Sequence, residues 1–189
     1  MLRLLSFFAL LLSACQSPSA SQQSEPPISA YIQQLRADIK AAGGAYNQRL
    51  ACYVDLTRPD TQYRFFLLDL QQERVVHQGL ALNGLTDKLG NVRYSNELNS
   101  NCSSRGLARI GEKYHGRFGR AFRLDGLEAS TRNLRKRAVV LHSWSGVDAW
   151  PTEQHPIQSE GCPALNPLVL DSVATVIESS AKPLLIRLN

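Results

Sequence analysis

Three short runs in the first half of the chain limit its fold more than any other feature: Tyr53 to Leu56, Arg64 to Leu70 and Val75 to Leu82. Each is rich in aromatic and β-branched side chains, which suit a pleated, half-buried surface. Gln71-Gln72-Glu73 makes a polar break of hairpin length between the last two, and Asn83-Gly84 and Leu89-Gly90-Asn91 mark further turns. Strands therefore dominate the expectation. Two helices are expected beside them. From Ser29 to Ala42, the apolar Ile32, Leu35, Ile39 and Ala42 recur at steps of three and four, and Gly43-Gly44 ends the run. This predicts an amphipathic helix packed on its own domain. Asn166-Pro167 supplies an N-cap and a first-turn proline for a second helix through about Glu178, with Leu170, Val173 and Ile177 on one face. Pro183 then leads into a last strand, Leu184 to Leu188. The expected class is mainly β with flanking helices. A sheet of this kind also suits a carbohydrate-binding sandwich, so the fold alone does not fix an activity.

The N-terminus has a different logic. A basic Arg3 precedes an apolar stretch from Leu4 to Leu12, followed by Leu12-Ser13-Ala14-Cys15. The apolar stretch is too short to span a bilayer, so residues 1–14 are expected to be a secretory signal. The four residues ending at Cys15 resemble a bacterial lipobox, which implies cleavage before Cys15 and a lipid on its sulfur and amino group. Gln16 is not Asp, so the resemblance to Gram-negative lipoproteins implies sorting to the outer membrane, with the chain on its periplasmic face. Residues 16–27 contain Ser, Gln, Ala and Pro with Glu25 as the only charge, and with Cys15 they make up the expected tether, residues 15–27. Such a composition buries too little apolar surface to order itself, and about a dozen flexible residues reach some tens of Å. The expected plan is a signal, a lipidated tether and one domain over residues 28–189. The composition, 43% hydrophobic and 20% charged, is that of an ordinary globular domain.

Chemistry concentrates in Ser159-Glu160-Gly161-Cys162-Pro163-Ala164 and in His142, which closes the apolar run Ala138-Val139-Val140-Leu141. A thiol is a weak nucleophile until it is ionised, and a nearby imidazole can take its proton. Gly161 permits a tight turn just before the sulfur, so that neighbouring N–H groups face one substrate carbonyl. A buried structural Cys at a turn is the plain alternative for such residues taken singly.

The spacing of His142, sixteen residues, then Ser-x-Gly-Cys resembles the signature of the L,D-transpeptidase catalytic domain, the YkuD-type fold. The resemblance continues upstream through Ser103-Ser104-x-Gly106, Tyr114-x-Gly116, Leu124-x-Gly126-Leu127 and Arg137-Ala138-Val139-Val140-Leu141-His142. It covers roughly the last 130 residues and is similar to the subfamily with Ser-x-Gly-Cys-Pro-Ala as its nucleophile motif. Most of the broader family has His before the Gly-Cys, where this chain has Glu160; His142 is then the base that matches the motif. The resemblance implies a β-sandwich or barrel catalytic domain that acts on peptidoglycan tetrapeptide stems. In that scheme Cys162 forms a thioester with the third stem residue, D-Ala leaves, and an amine from a neighbouring stem gives a 3-3 cross-link. Ser143 would orient the imidazole through its backbone carbonyl, and the N–H groups of Gly161 and Cys162 would stabilise the oxyanion. Water as acceptor would make an L,D-carboxypeptidase, and a lysine of a wall-anchored protein would make a protein-to-wall ligase.

Between Ser103 and Arg137 there are ten Lys or Arg against three acids, a net of plus seven where the whole chain has plus five. A secreted lipoprotein does not meet nucleic acid, so stem carboxylates or anionic headgroups are the partners that such charge suits, a solvated basic face being the alternative. Arg105 and Arg137 are the candidate ligands within it, beside Ser103, Ser104 and Ser159. Trp144 and Trp150 flank the segment between His142 and Cys162, where the resemblance places a loop over the substrate, and Trp144 is a candidate to stack there. His155 is read as a surface residue. Cys52 and Cys102 remain after Cys15 and Cys162. A bridge between them would close a loop worth about 4 kcal/mol on the chain-entropy model, and two buried thiols are the other reading. No cluster has metal-ligand spacing, and no cofactor is expected. The domain is expected to be a monomer. Cysteine proteases of the papain type place Cys before His, the reverse of the order here. A non-catalytic wall-binding lipoprotein is the remaining rival, kept open by Glu160 and Gln158.

Overall fold

The computed structural model describes residues 25–189. The signal, Cys15 and all but the last three residues of the tether lie outside the described residues.

Helix α1 (Ile28–Ala42) comes first, then strands β1 (Leu50–Val54), β2 (Phe65–Asp69), β3 (Arg74–Gly79), β4 (Gly106–Gly116), β5 (Gly119–Gly126), β6 (Val140–Ser143) and β7 (Ala164–Leu165). Helix α2 (Pro167–Ser179) and strand β8 (Leu185–Leu188) complete the chain. The strands form one mixed sheet in the order β3-β2-β1-β8-β4-β5-β6-β7. The mainly β class with two flanking helices is the one expected.

Alternation of side chains across the strands builds a core on each face. Ala51 and Tyr53 of β1, Phe66 and Leu68 of β2, Leu107 of β4 and Leu185 of β8 bury against Tyr31, Ile32, Leu35 and Ile39 of α1. Their neighbours Cys52, Val54, Phe65, Leu67, Ala108, Ile110 and Ile186 face the other way, onto Leu170, Val173 and Ala174 of α2. The central strands are therefore apolar on both faces, as strands covered on both sides must be. Polar groups on the α1 side are paired: Tyr31 Oη donates to Asp55 at 2.5 Å, and Arg187 bonds Asp38 and Glu128.

Three differences from the expectation stand out. The long hairpin β4–β5 lies within the basic segment, and its charges pair across and beyond the hairpin: Arg109 and Arg135 with Asp125, Arg135 with Glu112, Lys113 with Glu178 and Arg120 with Asp171. The local excess of positive charge is thus partly consumed inside the protein. The bridge between Cys52 and Cys102 is not made, and both thiols are free and buried. Cys52 sits mid-strand, opposite Leu67 and Ile186 in the sheet, whereas Cys102 lies in the loop before β4 with its carbonyl bonded to Arg137. The first strand also begins earlier than its aromatic signal, at Leu50.

Candidate active site

The site is built where β6 and β7 pair in parallel, with His142 opposite Ala164. Carrying that register two residues back sets Cys162 beside Val140. The contact fits: the Val140 N–H points to the Cys162 Sγ at 3.5 Å, and the Ala138 carbonyl lies 3.9 Å from it. Cys162 and His142 thus stand as diagonal neighbours on adjoining strands, a spacing that side chains can bridge. Among the described residues the sulfur is hydrogen-bonded to backbone and not to the imidazole.

His142 is held from behind. Its Nδ1 lies 2.9 Å from the Ser143 carbonyl, the contact expected of Ser143. An N–H at Nδ1 donating there leaves Nε2 as the basic nitrogen. The Ser143 hydroxyl donates to the Phe118 carbonyl at 3.0 Å, and the Phe118 ring stacks on the imidazole with centroids 5.3 Å apart. Burial holds the imidazole below its ordinary value, with the bond to Ser143 acting in the opposite direction. Burial likewise pushes the Cys162 thiol up; the Val140 N–H and Arg137 pull it down, and Glu160 pushes it up further. Burial thus favours the uncharged form of both groups. Glu160 itself is exposed, and its charge raises the Cys162 thiol.

Gly161 has φ +106°, and a Cβ there would stand 2.4 Å from the Cys102 carbonyl oxygen. Only glycine fits both the conformation and the space. Ser159 ties this turn together, donating to the Cys162 carbonyl at 2.7 Å and accepting the Gly161 N–H at 3.1 Å. The Gly161 N–H is thereby engaged, while the Cys162 N–H makes no hydrogen bond among the described residues.

The other expected residues divide. Arg137 donates to the carbonyls of Ser95 and Cys102, both at 2.6 Å, and to the hydroxyls of Ser104 at 2.6 Å and Ser100 at 3.2 Å. It braces the 95–104 segment near the Gly161-Cys162 turn, and its charge reaches the sulfur from there. Ser103 is buried and accepts the Gly84 N–H. Arg105 is bonded to Asn189 and lies over the Tyr94 ring, 5.4 Å from its centroid. These three hydroxyl and guanidinium groups, with Ser104, make protein contacts in this structure. Trp144 is half-buried against Leu80, Leu82, Val147 and Ala164, and tilts toward Phe118 at 6.4 Å. Trp150 is exposed, and His155 is a surface residue paired with Asp60. Phe118 was missing from the sequence reading. It is a single aromatic between Arg117 and Gly119 with no strand pattern around it, and the signal for it was the Gly116 and Gly119 that frame a hairpin tip.

Among solved structures, the helical cell shape determining protein Pgp2 from Campylobacter jejuni is similar at 13% identity and a TM-score of 0.48, over 86% of this chain and 55% of that one. A single-substitution mutant of the same protein gives 14% identity and the same TM-score, over 87% and 57%. The chain spans little more than half the length of those structures. No curated protein matches it. A family model for the L,D-transpeptidase catalytic domain matches residues 23–185. With that match running through nearly all of the described residues, the chain belongs to the L,D-transpeptidase catalytic domain family.

Proposed function

We propose that the chain is a murein L,D-transpeptidase that works through a thioester on Cys162. The observation that carries this reading is the β6–β7 register, which sets Cys162 diagonally across from an imidazole whose Nδ1 is locked by the Ser143 carbonyl. The proposed reaction requires rotation about the Cys162 Cα–Cβ bond to carry the sulfur from the Val140 N–H to Nε2. His142 accepts the thiol proton, and the sulfur attacks the carbonyl that joins the third stem residue to D-Ala. The C–N bond then breaks, the proton on His142 passes to the departing amine, and D-Ala leaves. An amine from a second stem attacks the thioester, the S–C bond breaks, and a proton returns to the sulfur. The Cys162 N–H is suited to hold the oxyanion in both steps, a role worth a few kcal/mol per donor in such sites. The lipobox-like Leu12-Ser13-Ala14-Cys15 supports a lipid anchor at the periplasmic face of the outer membrane, from which the tether lets the domain reach the wall.

The test is incubation of the chain, and of Cys162→Ala, with tetrapeptide muropeptides, the products read by mass. Loss of D-Ala with a dimer of two stems, absent in the variant, is the expected result. Loss of D-Ala without a dimer reassigns the chain as an L,D-carboxypeptidase, and no reaction in a folded protein makes it a wall-binding lipoprotein. Incorporation of labelled fatty acid, lost in Cys15→Ala, tests the anchor.

A further inference from the structure

The nucleophile segment has two edges. One pairs with β6; the other is bonded to residues 82 and 83, through Leu82 N–H to the Ala164 carbonyl and Ser159 N–H to the Asn83 carbonyl. Beyond that second edge lies a cavity of about 630 Å³, large enough for a peptide side chain and its neighbours, whose lining includes Arg58, Arg64, Asn83, Asp60, His155 and Gln158.

Arg64 is the unusual member. It is 1% exposed, the largest of the fully buried side chains, and makes no ion pair within the salt-bridge distances found elsewhere among the described residues. Its Nη2 donates to Asn83 Oδ1 at 2.8 Å, and its Nε is a buried polar atom with no partner. Burial weighs against its charge and pulls the guanidinium down to about 10, with Asp60, Tyr94 and Asp55 acting in the opposite direction. A buried cation without a counter-ion is costly, and an anion brought beside it recovers much of that cost. The acid in the lining, Asp60, is engaged by His155 Nδ1 at 2.6 Å. Arg58 adds a second guanidinium, tied to the Tyr63 carbonyl and Gln62. Planar guanidinium groups suit carboxylates above other anions of a peptide.

The position matters as much as the charge. Asn83 links Arg64 to Ser159, and Ser159 holds Gly161 and Cys162. Gln158, in the cavity wall, is four residues from Cys162, a span of at most about 14 Å of chain, and four extended residues of a stem peptide cover the same length. We propose that this cavity takes a free carboxylate of the peptidoglycan stem, with Arg64 as the cation beneath it. It thereby selects stems that carry the acid over stems in which that group is amidated. This deepens the Cys162 reading and rests on it for the identity of the peptide.

The test uses the full chain with Cys162→Ala, so that binding is read without turnover. The probes are a tetrapeptide stem with free carboxylates and the same peptide amidated at the second or the third residue, one at a time, measured by calorimetry. One of the amides is expected to bind at least tenfold more weakly than the acid, and adding Arg64→Met is expected to erase that difference. Because a core substitution risks the fold, a second variant is placed at the exposed mouth. His155→Glu is expected to weaken the acid several-fold and to leave the discriminated amide unchanged. Equal affinity for the acid and both amides overturns the proposal, as does a His155→Glu protein that binds all probes like its parent. Turnover is followed separately on the chain with Cys162 intact. Cleavage of acid and amides with equal KM overturns the cavity and keeps the Cys162 reading. Preferential binding of the acid with no cleavage of any probe keeps the cavity as a carboxylate site and overturns the Cys162 reading.

Discussion

Gly161→Ala isolates what the nucleophile turn requires of its backbone. At φ +106° an alanine is strained wherever it sits, and here its Cβ would also stand 2.4 Å from the Cys102 carbonyl oxygen, about 1 Å closer than ordinary contact allows. The conformational part costs about 1–3 kcal/mol and forced displacement in a packed region about as much again. A total of about 2–6 kcal/mol corresponds to a Tm lower by about 4–24 °C for a domain of this size. The contact is relieved by moving Cys162 or the 95–104 segment, and a 1 Å error at a reacting atom is worth about 100-fold in rate. Gly43→Ala is the matched control. Gly43 has φ +82° with nothing within 4 Å of its Cβ position, so it bears the conformational cost alone, about 1–3 kcal/mol, with activity unchanged. Thermal melts give the first quantity, and D-Ala release under kcat/KM conditions gives the second. A Gly161→Ala protein that melts and turns over like Gly43→Ala refutes the reasoning.

Other perturbations probe the charges around the sulfur. Glu160→Gln removes a negative charge that raises the Cys162 thiol; the pH midpoint of Cys162 alkylation by iodoacetamide is expected to fall while staying above that of a free thiol, because burial persists. No shift would show that Glu160 is electrically remote from the sulfur. His142 is held below 6.5 by burial, so it is neutral and able to accept a proton at pH values where an ordinary imidazole is already charged. The acid limb of kcat/KM is therefore expected to have its midpoint below 6.5 and to disappear with the His142→Ala background rate; a midpoint above 7 contradicts this. Arg137→Met loses four hydrogen bonds that hold the 95–104 segment, and a destabilisation of about 2–4 kcal/mol is expected in urea melts, together with a higher alkylation midpoint for Cys162. A stable variant with an unshifted midpoint removes Arg137 from the account.

How far the chain could be read in advance depended on whether local pattern or distant partners decided each element. Helix α1 was legible because Ile32, Leu35 and Ile39 fall on one face and Gly43 takes the positive φ that ends it. The β2–β3 hairpin was legible from its β-formers and the polar residues between them. Hairpin β4–β5 was not, because its exposed face carries Arg109, Glu112, Lys113, Arg120 and Arg123, which read as a basic segment until their partners in β5, α2 and the 128–138 loop are seen. The same blindness affected single residues. The acceptors that Arg137 and Arg105 find within the protein were invisible too, because sequence counts charge and not acceptors. Cys52 and Cys102 read as a bridge or as two buried thiols, because sequence leaves their distance open; the second holds, with Cys52 mid-strand. Arg64 gave no signal at all: it lies at the end of an apolar strand run and reads as a flank, and only burial reveals it as a cation with unmet needs.

The most direct measurement is the intact mass of the full chain after brief mixing with a tetrapeptide stem. The account predicts an adduct equal to the stem less D-Ala, attached at Cys162, labile to hydroxylamine as a thioester is, and absent from Cys162→Ala. A chain that releases D-Ala with no adduct at any time point, or with Cys162→Ala as active as its parent, contradicts it.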